Sequence, residues 1–177
     1  AFTFNICITD PHNVCASAVT LTSRTVCSNV PGNMYGSTLT APTTINAPDC
    51  AAALAPTRDI WFRFVAQTLN PTITLSGVGV NFTGNCRMQL LSNNCGATFT
   101  SYYCGTTSIA ANHLTPGTTY YIRVYSTAAA APITTVGWEF NICIQDPVTP
   151  PPFNDNCSNA VNLPIWNNCN NIPGSVA

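Results

Sequence analysis

The segment that opens the chain, AFTFNICITDP at 1–11, returns as WEFNICIQDP at 138–147. A second block, NVCASAVTLTSRTVCSNVPGN at 13–33, returns as DNCSNAVNLPIWNNCNNIPGS at 155–175. Cys15 and Cys157 stand 142 positions apart, as do Cys27 with Cys169 and Pro31 with Pro173, whereas Cys7 and Cys143 differ by 136. A period this long belongs to a self-sufficient domain, not to a solenoid unit that needs neighbours to complete its core. The recurrence therefore predicts an array: the last strand of one repeat at 1–11, one complete repeat at 12–147, a proline-rich linker at 148–156, and the start of a following repeat at 157–177. The linker, rich in Pro, is expected to be a semi-rigid extended spacer.

Ten cysteines fall in 177 residues. Their spacings do not form the short paired clusters of a zinc site, and the two histidines are His12 and His113. Disulfides are the expected use, which places the protein outside the cytoplasm, extracellular or at a cell surface. The expected pairs are Cys95 with Cys104, across a short loop between strands, and Cys27 with Cys50. Cys15, Cys143, Cys157 and Cys169 are further disulfide candidates.

Charged residues make up 6% of the chain: five Arg, no Lys, five Asp and one Glu. Nothing here supplies the clustered positive charge that displaces counterions from phosphates, so nucleic acid is excluded as a partner. No apolar run approaches the roughly 20 residues of a spanning helix, so no membrane insertion is expected. The polar load falls on Thr and Asn, which suit strands and turns.

Period-two alternation marks the strands. Ile60, Phe62 and Phe64 share one face of 59–66. Tyr120, Ile122 and Val124 oppose Tyr121, Arg123 and Tyr125 in 119–126, and Trp138, Phe140, Ile142 and Ile144 line one face of 138–144. Further strands are expected at 71–76, 86–92 and 98–103, with short ones near 17–21 and 36–40, and no helix. Turn signals separate them. The fold class is all-β: a disulfide-stabilised antiparallel β-sandwich, jelly-roll or immunoglobulin-like. Parity turns Cys143 away from the Trp138 face, so its partner comes from a covering loop or linker, with Cys157 and Cys15 as candidates, or else it joins two strands on one face.

Catalysis finds little support. A base would have to be His12 or His113, the first in a junction and the second before a turn. Of six carboxylates, Asp10, Asp146 and Asp155 lie at junctions, and Asp59, heading a strand, reads as a turn cap. No cofactor is implied. Calcium needs six to eight oxygen ligands, and the junction offers Asp146, Asn154 and Asp155. Tyr102 and Tyr103, with Tyr121 and Tyr125 on the outer face, are candidates for a glycan-binding platform, against the alternative that they pack between sheets.

Four segments carry a resemblance: NDNCSNA at 154–160, DIWFRFVA at 59–66, LTPGTTYYIRVY at 114–125 and FNICI at 140–144. Together they resemble the repeat units of very large secreted and cell-surface proteins of Bacteroidota, including repetitive adhesins associated with gliding and type IX secretion. The resemblance implies an extracellular β-sandwich module in an array. Cys86 departs from that pattern and brings the count per period to seven (15, 27, 50, 86, 95, 104, 143). It is expected to be free and buried, or else bonded to another chain. The function these features predict is a non-enzymatic structural or adhesive repeat whose partners are neighbouring repeats, other copies in a filament or array, and surface glycans. Its alternatives are a carbohydrate-binding module of a secreted enzyme and a small fibre subunit that donates residues 1–9 to a neighbour's sheet.

Overall fold

A computed structural model describes residues 13–40, 56–92, 95 and 98–148, with 45–46 described by backbone alone. The chain divides into two units, Ala1–Pro147 and Val148–Ala177. The expected neighbouring strand at 1–11, the following repeat from 157, and Cys50, Asn154, Asp155, Cys157 and Cys169 lie outside the described residues.

Eleven strands are described: β1 (Val19–Thr20), β2 (Ser23–Arg24), β3 (Val30–Asn33), β4 (Ile45–Asn46), β5 (Arg58–Val65), β6 (Thr72–Ser76), β7 (Cys86–Leu91), β8 (Phe99–Gly105), β9 (Ser108–Ala110), β10 (Thr119–Ser126) and β11 (Glu139–Gln145). They form two sheets. One is ordered β1-β5-β10-β7-β8-β4; the other runs β2-β11-β6-β9, with β3 also on β11. The six long strands coincide with those expected from alternation. Short strands β2, β3, β4 and β9 carry too few residues to show a period, and 36–40 is not a strand.

The pairing departs from a purely antiparallel sandwich. The interior ladders β5–β10, β10–β7, β7–β8, β11–β6 and β6–β9 are antiparallel, whereas β1–β5, β2–β11 and β4–β8 are parallel. Each parallel pair involves a two-residue strand. Such a strand is a loop that brushes an edge, so the direction in which it passes is not fixed by a hairpin.

Between the sheets lies the main core: Ile60, Phe62, Phe64, Ile73, Leu75, Met88, Leu90, Ile122, Val124, Phe140 and Ile142 are among its members. The alternating faces read from the sequence converge here. Fully burying a side chain such as Phe62 contributes roughly 1.5–3 kcal/mol. A second, smaller cluster lies on the opposite face of the six-stranded sheet, made of Cys15, Ala18, Trp61, Leu91, Phe99 and Tyr121. A 3-10 turn, Cys15–Ser17, lays Cys15 on this face. Strands β5 and β10 are therefore buried on both sides along most of their length. The outer-face tyrosines proposed for glycan contact, Tyr121 and Tyr125, are only 7% and 1% exposed. They are packing residues because the face that alternation assigned to solvent is covered.

The cystines also differ from expectation. Cys15 bonds Cys95 and Cys27 bonds Cys143, with Cα atoms 5.8 and 5.6 Å apart. Cys104 is disulfide-bonded as well. Cys95–Cys104 and Cys27–Cys50 are thus not the pairs formed. The reason is topological. The segment carrying Cys15 covers the Trp61 face and reaches the β7–β8 connection, while Cys27 lies in the loop between β2 and β3, both of which pair with β11. Cys143 does face away from the main core towards a covering loop, but that loop supplies Cys27, not Cys15 or Cys157.

Candidate functional site

One ladder irregularity re-aims a side chain. In β7–β8, Leu90 pairs with Tyr103 but Leu91 pairs with Ser101, so Tyr102 is the extra residue of a β-bulge. A bulge bends its strand and turns a residue out of the pleat. Tyr103 stays with the core and is partly buried against it. Tyr102 is 47% exposed, and its ring meets that of buried Tyr120 edge-on at 5.6 Å. An aromatic ring half in water and braced by another is suited to lie against an apolar ligand face.

Polar groups come from the loop after β9. The Tyr103 hydroxyl donates towards Asn112, whose main-chain and side-chain oxygens both face it. His113 Nδ1 lies 3.0 Å from the same Asn112 Oδ1, and its amide donates to Asn70 Oδ1 at 3.3 Å. His113 has φ of 58°, the one non-glycine among the described residues in the left-handed region. Backbone held this way is found where surrounding structure over-determines a site. Leu114 and Ala111 donate amides to Leu69 and Pro71, which fixes the loop beside 69–71, and the Thr115 amide donates to the Tyr120 hydroxyl. Tyr102, Asn70, Asn112 and His113 are all exposed, as is Leu69 at 54%. Tyr102 is tied to this loop through Tyr120, whose ring it meets and whose hydroxyl accepts from Thr115; the two together form the candidate patch. It holds no carboxylate.

Tyr102 and Tyr103 were legible as candidates, but they play different parts: the first is presented and the second holds the loop. His113 is a surface residue here, as its position before a turn implied. Asn70, Asn112 and Tyr120 carried no sequence signal by themselves, since only the fold sets Tyr102 against Tyr120, Asn112 against Tyr103 and Asn70 against His113.

Other candidate residues resolve into structural roles. Asp59 is not a turn cap. It is fully buried, and its Oδ2 lies 2.7 Å from Arg123 Nε and 2.7 Å from Nη2. Its Oδ1 accepts from the Thr40 hydroxyl (2.8 Å), the Thr40 amide (3.1 Å) and Trp61 Nε1 (3.3 Å). The Arg123 guanidinium carbon sits 5.7 Å from the Trp61 ring centre and 5.5 Å from that of Tyr125. A carboxylate so fully engaged and closed to solvent has no lone pair to offer a substrate. Asp146, a junction calcium candidate, accepts from the Ser23 hydroxyl at 2.6 Å and the Thr68 hydroxyl at 2.7 Å. Among the described residues, no three His, Cys, Asp or Glu side chains gather as metal ligands. Glu139 accepts from the Gly137 amide at 2.6 Å and so shapes the β10–β11 loop.

Cys86 is free and fully buried, with its thiol 3.5 Å from the Thr106 carbonyl. Burial pushes that thiol up to about 12, with Arg87 opposing weakly. Because the thiolate is the reactive form, iodoacetamide at pH 8 is expected to spare the Cys86 peptide until denaturant is added. Labelling of the folded protein would overturn this. The same shift has a sign for stability. The folded-state value exceeds the unfolded value of 9.0, so this contribution is complete below pH 9 and declines as pH rises from 9 towards about 12. No helix among the described residues is long and apolar enough to cross a membrane.

Comparison with known proteins adds the family. The model of a galactose binding domain-like family associated with type IX secretion matches residues 12–142. No curated protein matches the chain. Among solved structures, the GH26-CBM35 β-(1,4)-mannanase of Podospora anserina aligns at TM-score 0.26 and 16% identity. That alignment covers 72% of this chain and 30% of the mannanase chain, a superposition too loose to bear on ligand or activity. The family match spans both sheets and the bulged strand, and this chain belongs to the galactose binding domain-like family associated with type IX secretion.

Proposed function

We propose that this domain is a non-enzymatic, glycan-binding adhesive repeat of a long extracellular protein, and that it holds sugar with the patch around Tyr102. The observation that carries the reading is the bulge that lifts Tyr102 out of β8 and leaves its ring half-exposed against Tyr120, whose hydroxyl holds the loop that carries Asn112 and His113. A sugar ring has an apolar face and a rim of hydroxyls. An exposed aromatic ring, with amide and imidazole groups on the loop that Tyr103 and Tyr120 hold, matches both parts. The family assignment supports the same class of ligand, and the cystines support an oxidising location.

Glycan-array binding is expected with the wild-type chain. Tyr102→Ala should weaken it at least tenfold, about 1.4 kcal/mol, while the unfolding midpoint changes little because the ring is half in water. Tyr103→Phe, which removes the hydroxyl that holds Asn112, should weaken it less. Full binding retained by Tyr102→Ala, or no binding to any glycan by the wild type, would sink the proposal.

A structural array is a second reading, favoured by the recurrence of 13–33 at 155–175. It requires a polypeptide far larger than one repeat. A reduced, boiled sample of the native protein that ran as a single band near 20 kDa would instead favour a small fibre subunit, with residues 1–9 as the donated strand.

A further inference from the structure

The position of the Cys27–Cys143 bond raises a question that neither glycan binding nor family membership addresses: how the domain carries a pull along its own chain. Sequence continues on both sides of the described sandwich, so any tension in the polypeptide enters near Asn13 and leaves near Val148. Cys27 and Cys143 are 116 positions apart in sequence, yet their Cα atoms are 5.6 Å apart. Through the described cystines, the shortest covalent route from 13 to 148 therefore runs from 13 to 27, across the disulfide, and from 143 to 148. Residues 28–142, which hold nearly the whole sandwich and the Tyr102 patch, hang from this route as a closed loop.

The contacts beside the bond suit that route. Strand β2 runs parallel to the end of β11, with Ser23 opposite Ile144 and Arg24 opposite Gln145. The Asp146 amide donates to the Arg24 carbonyl at 2.7 Å, the Gln145 side chain donates to the Thr25 carbonyl at 3.1 Å, and the Ser23 hydroxyl donates to the Asp146 carboxylate at 2.6 Å. A pull drags the start of β2 one way and the end of β11 the other. The two strands are parallel, so these cross-links are sheared together instead of being peeled one at a time. The incoming and outgoing segments thus clasp each other and are joined covalently just past the clasp.

We propose that the domain is a tension-bearing link in which the Cys27–Cys143 disulfide diverts load around the sandwich, so that the binding face stays folded and unstrained while the chain is pulled. The Cys15–Cys95 bond, with a separation of 80, is a reserve. If Cys27–Cys143 is missing, the load crosses at Cys15–Cys95 and runs through 95–143, the segment that includes Tyr102, Asn112 and His113. This inference stands on connectivity and does not depend on which ligand the patch takes.

The test is single-molecule stretching of the full chain, held by its two ends. At full extension the oxidised wild-type route from 13 to 148 spans roughly 70 Å, at about 3.3–3.6 Å per residue. In a Cys27→Ala/Cys143→Ala chain kept oxidised, that span should lengthen by roughly 120–130 Å. Reductant added to stretched wild type should release at least roughly 380–420 Å more, the length of the freed loop. The reduction arm uses no mutant, so it decides the matter even if the double variant fails to fold. An oxidised wild-type chain that already yields either longer extension would overturn the proposal, and so would a reductant step that releases no added length.

Discussion

Replacing Arg123 by Met is expected to lower the stability of the domain by roughly 3–5 kcal/mol, because it leaves a buried carboxylate without its countercharge. Asp59 is fully buried and Arg123 is 6% exposed, so water cannot take over the work of either partner. The two charges meet through two 2.7 Å contacts, and the guanidinium lies within cation–π reach of the rings of Trp61 and Tyr125. Adding Asp59→Asn to the Arg123→Met chain should restore part of the loss, since a neutral amide costs far less to bury than an unpaired charge. Guanidinium titration of the wild type and the two variants gives the comparison. A loss below about 1 kcal/mol for Arg123→Met is the value for a solvated surface pair, and would contradict the buried geometry.

The second large effect is on the bond that closes residues 28–142. Removing Cys27–Cys143 with paired alanines should cost about 4–5 kcal/mol, the chain-entropy value for a loop on the order of 100 residues. Cys143 is 2% exposed and Cys27 is exposed, so the void left behind is small and the entropic effect dominates. For a domain of this length that corresponds to a fall in Tm of roughly 10–20 °C. Calorimetry of the double variant against wild type checks it. An unchanged Tm would mean that the bond does not restrain the unfolded chain.

Much of the fold was readable from alternation because the sandwich interior imposes a strict period of two. Ile60, Phe62 and Phe64 could face only one way, and so could Phe140, Ile142 and Ile144. The second cluster escaped the same logic. Trp61, Tyr121 and Tyr125 occupy the face that alternation gives to water, and only the path of the Cys15 segment shows that it is covered. The Asp59–Arg123 pair was hidden for a related reason: both residues sat on the expected outer face, but nothing local fixed the register that sets Arg123 opposite Trp61. Disulfide pairing failed where it relied on nearness in sequence. Cys95 and Cys104 are close along the chain, yet Cys95 bonds Cys15 across 80 positions. The proposed patch was half-visible. A Tyr-Tyr pair stood out, but a bulge is a mismatch between two strands and leaves no mark on either one alone.

The two described cystines are interlaced: in chain order the cysteines come 15, 27, 95, 143, and the first bonds the third while the second bonds the fourth. A chain that emerges N-terminus first cannot seal either bond within its leading segment. Cys15 must wait for Cys95, and Cys27 must wait until β11, the final strand of the sandwich, has appeared. Until then the Cys15–Cys95 bond can close, but residues 28–142 stay open, so the last described strand is also the one that seals the domain.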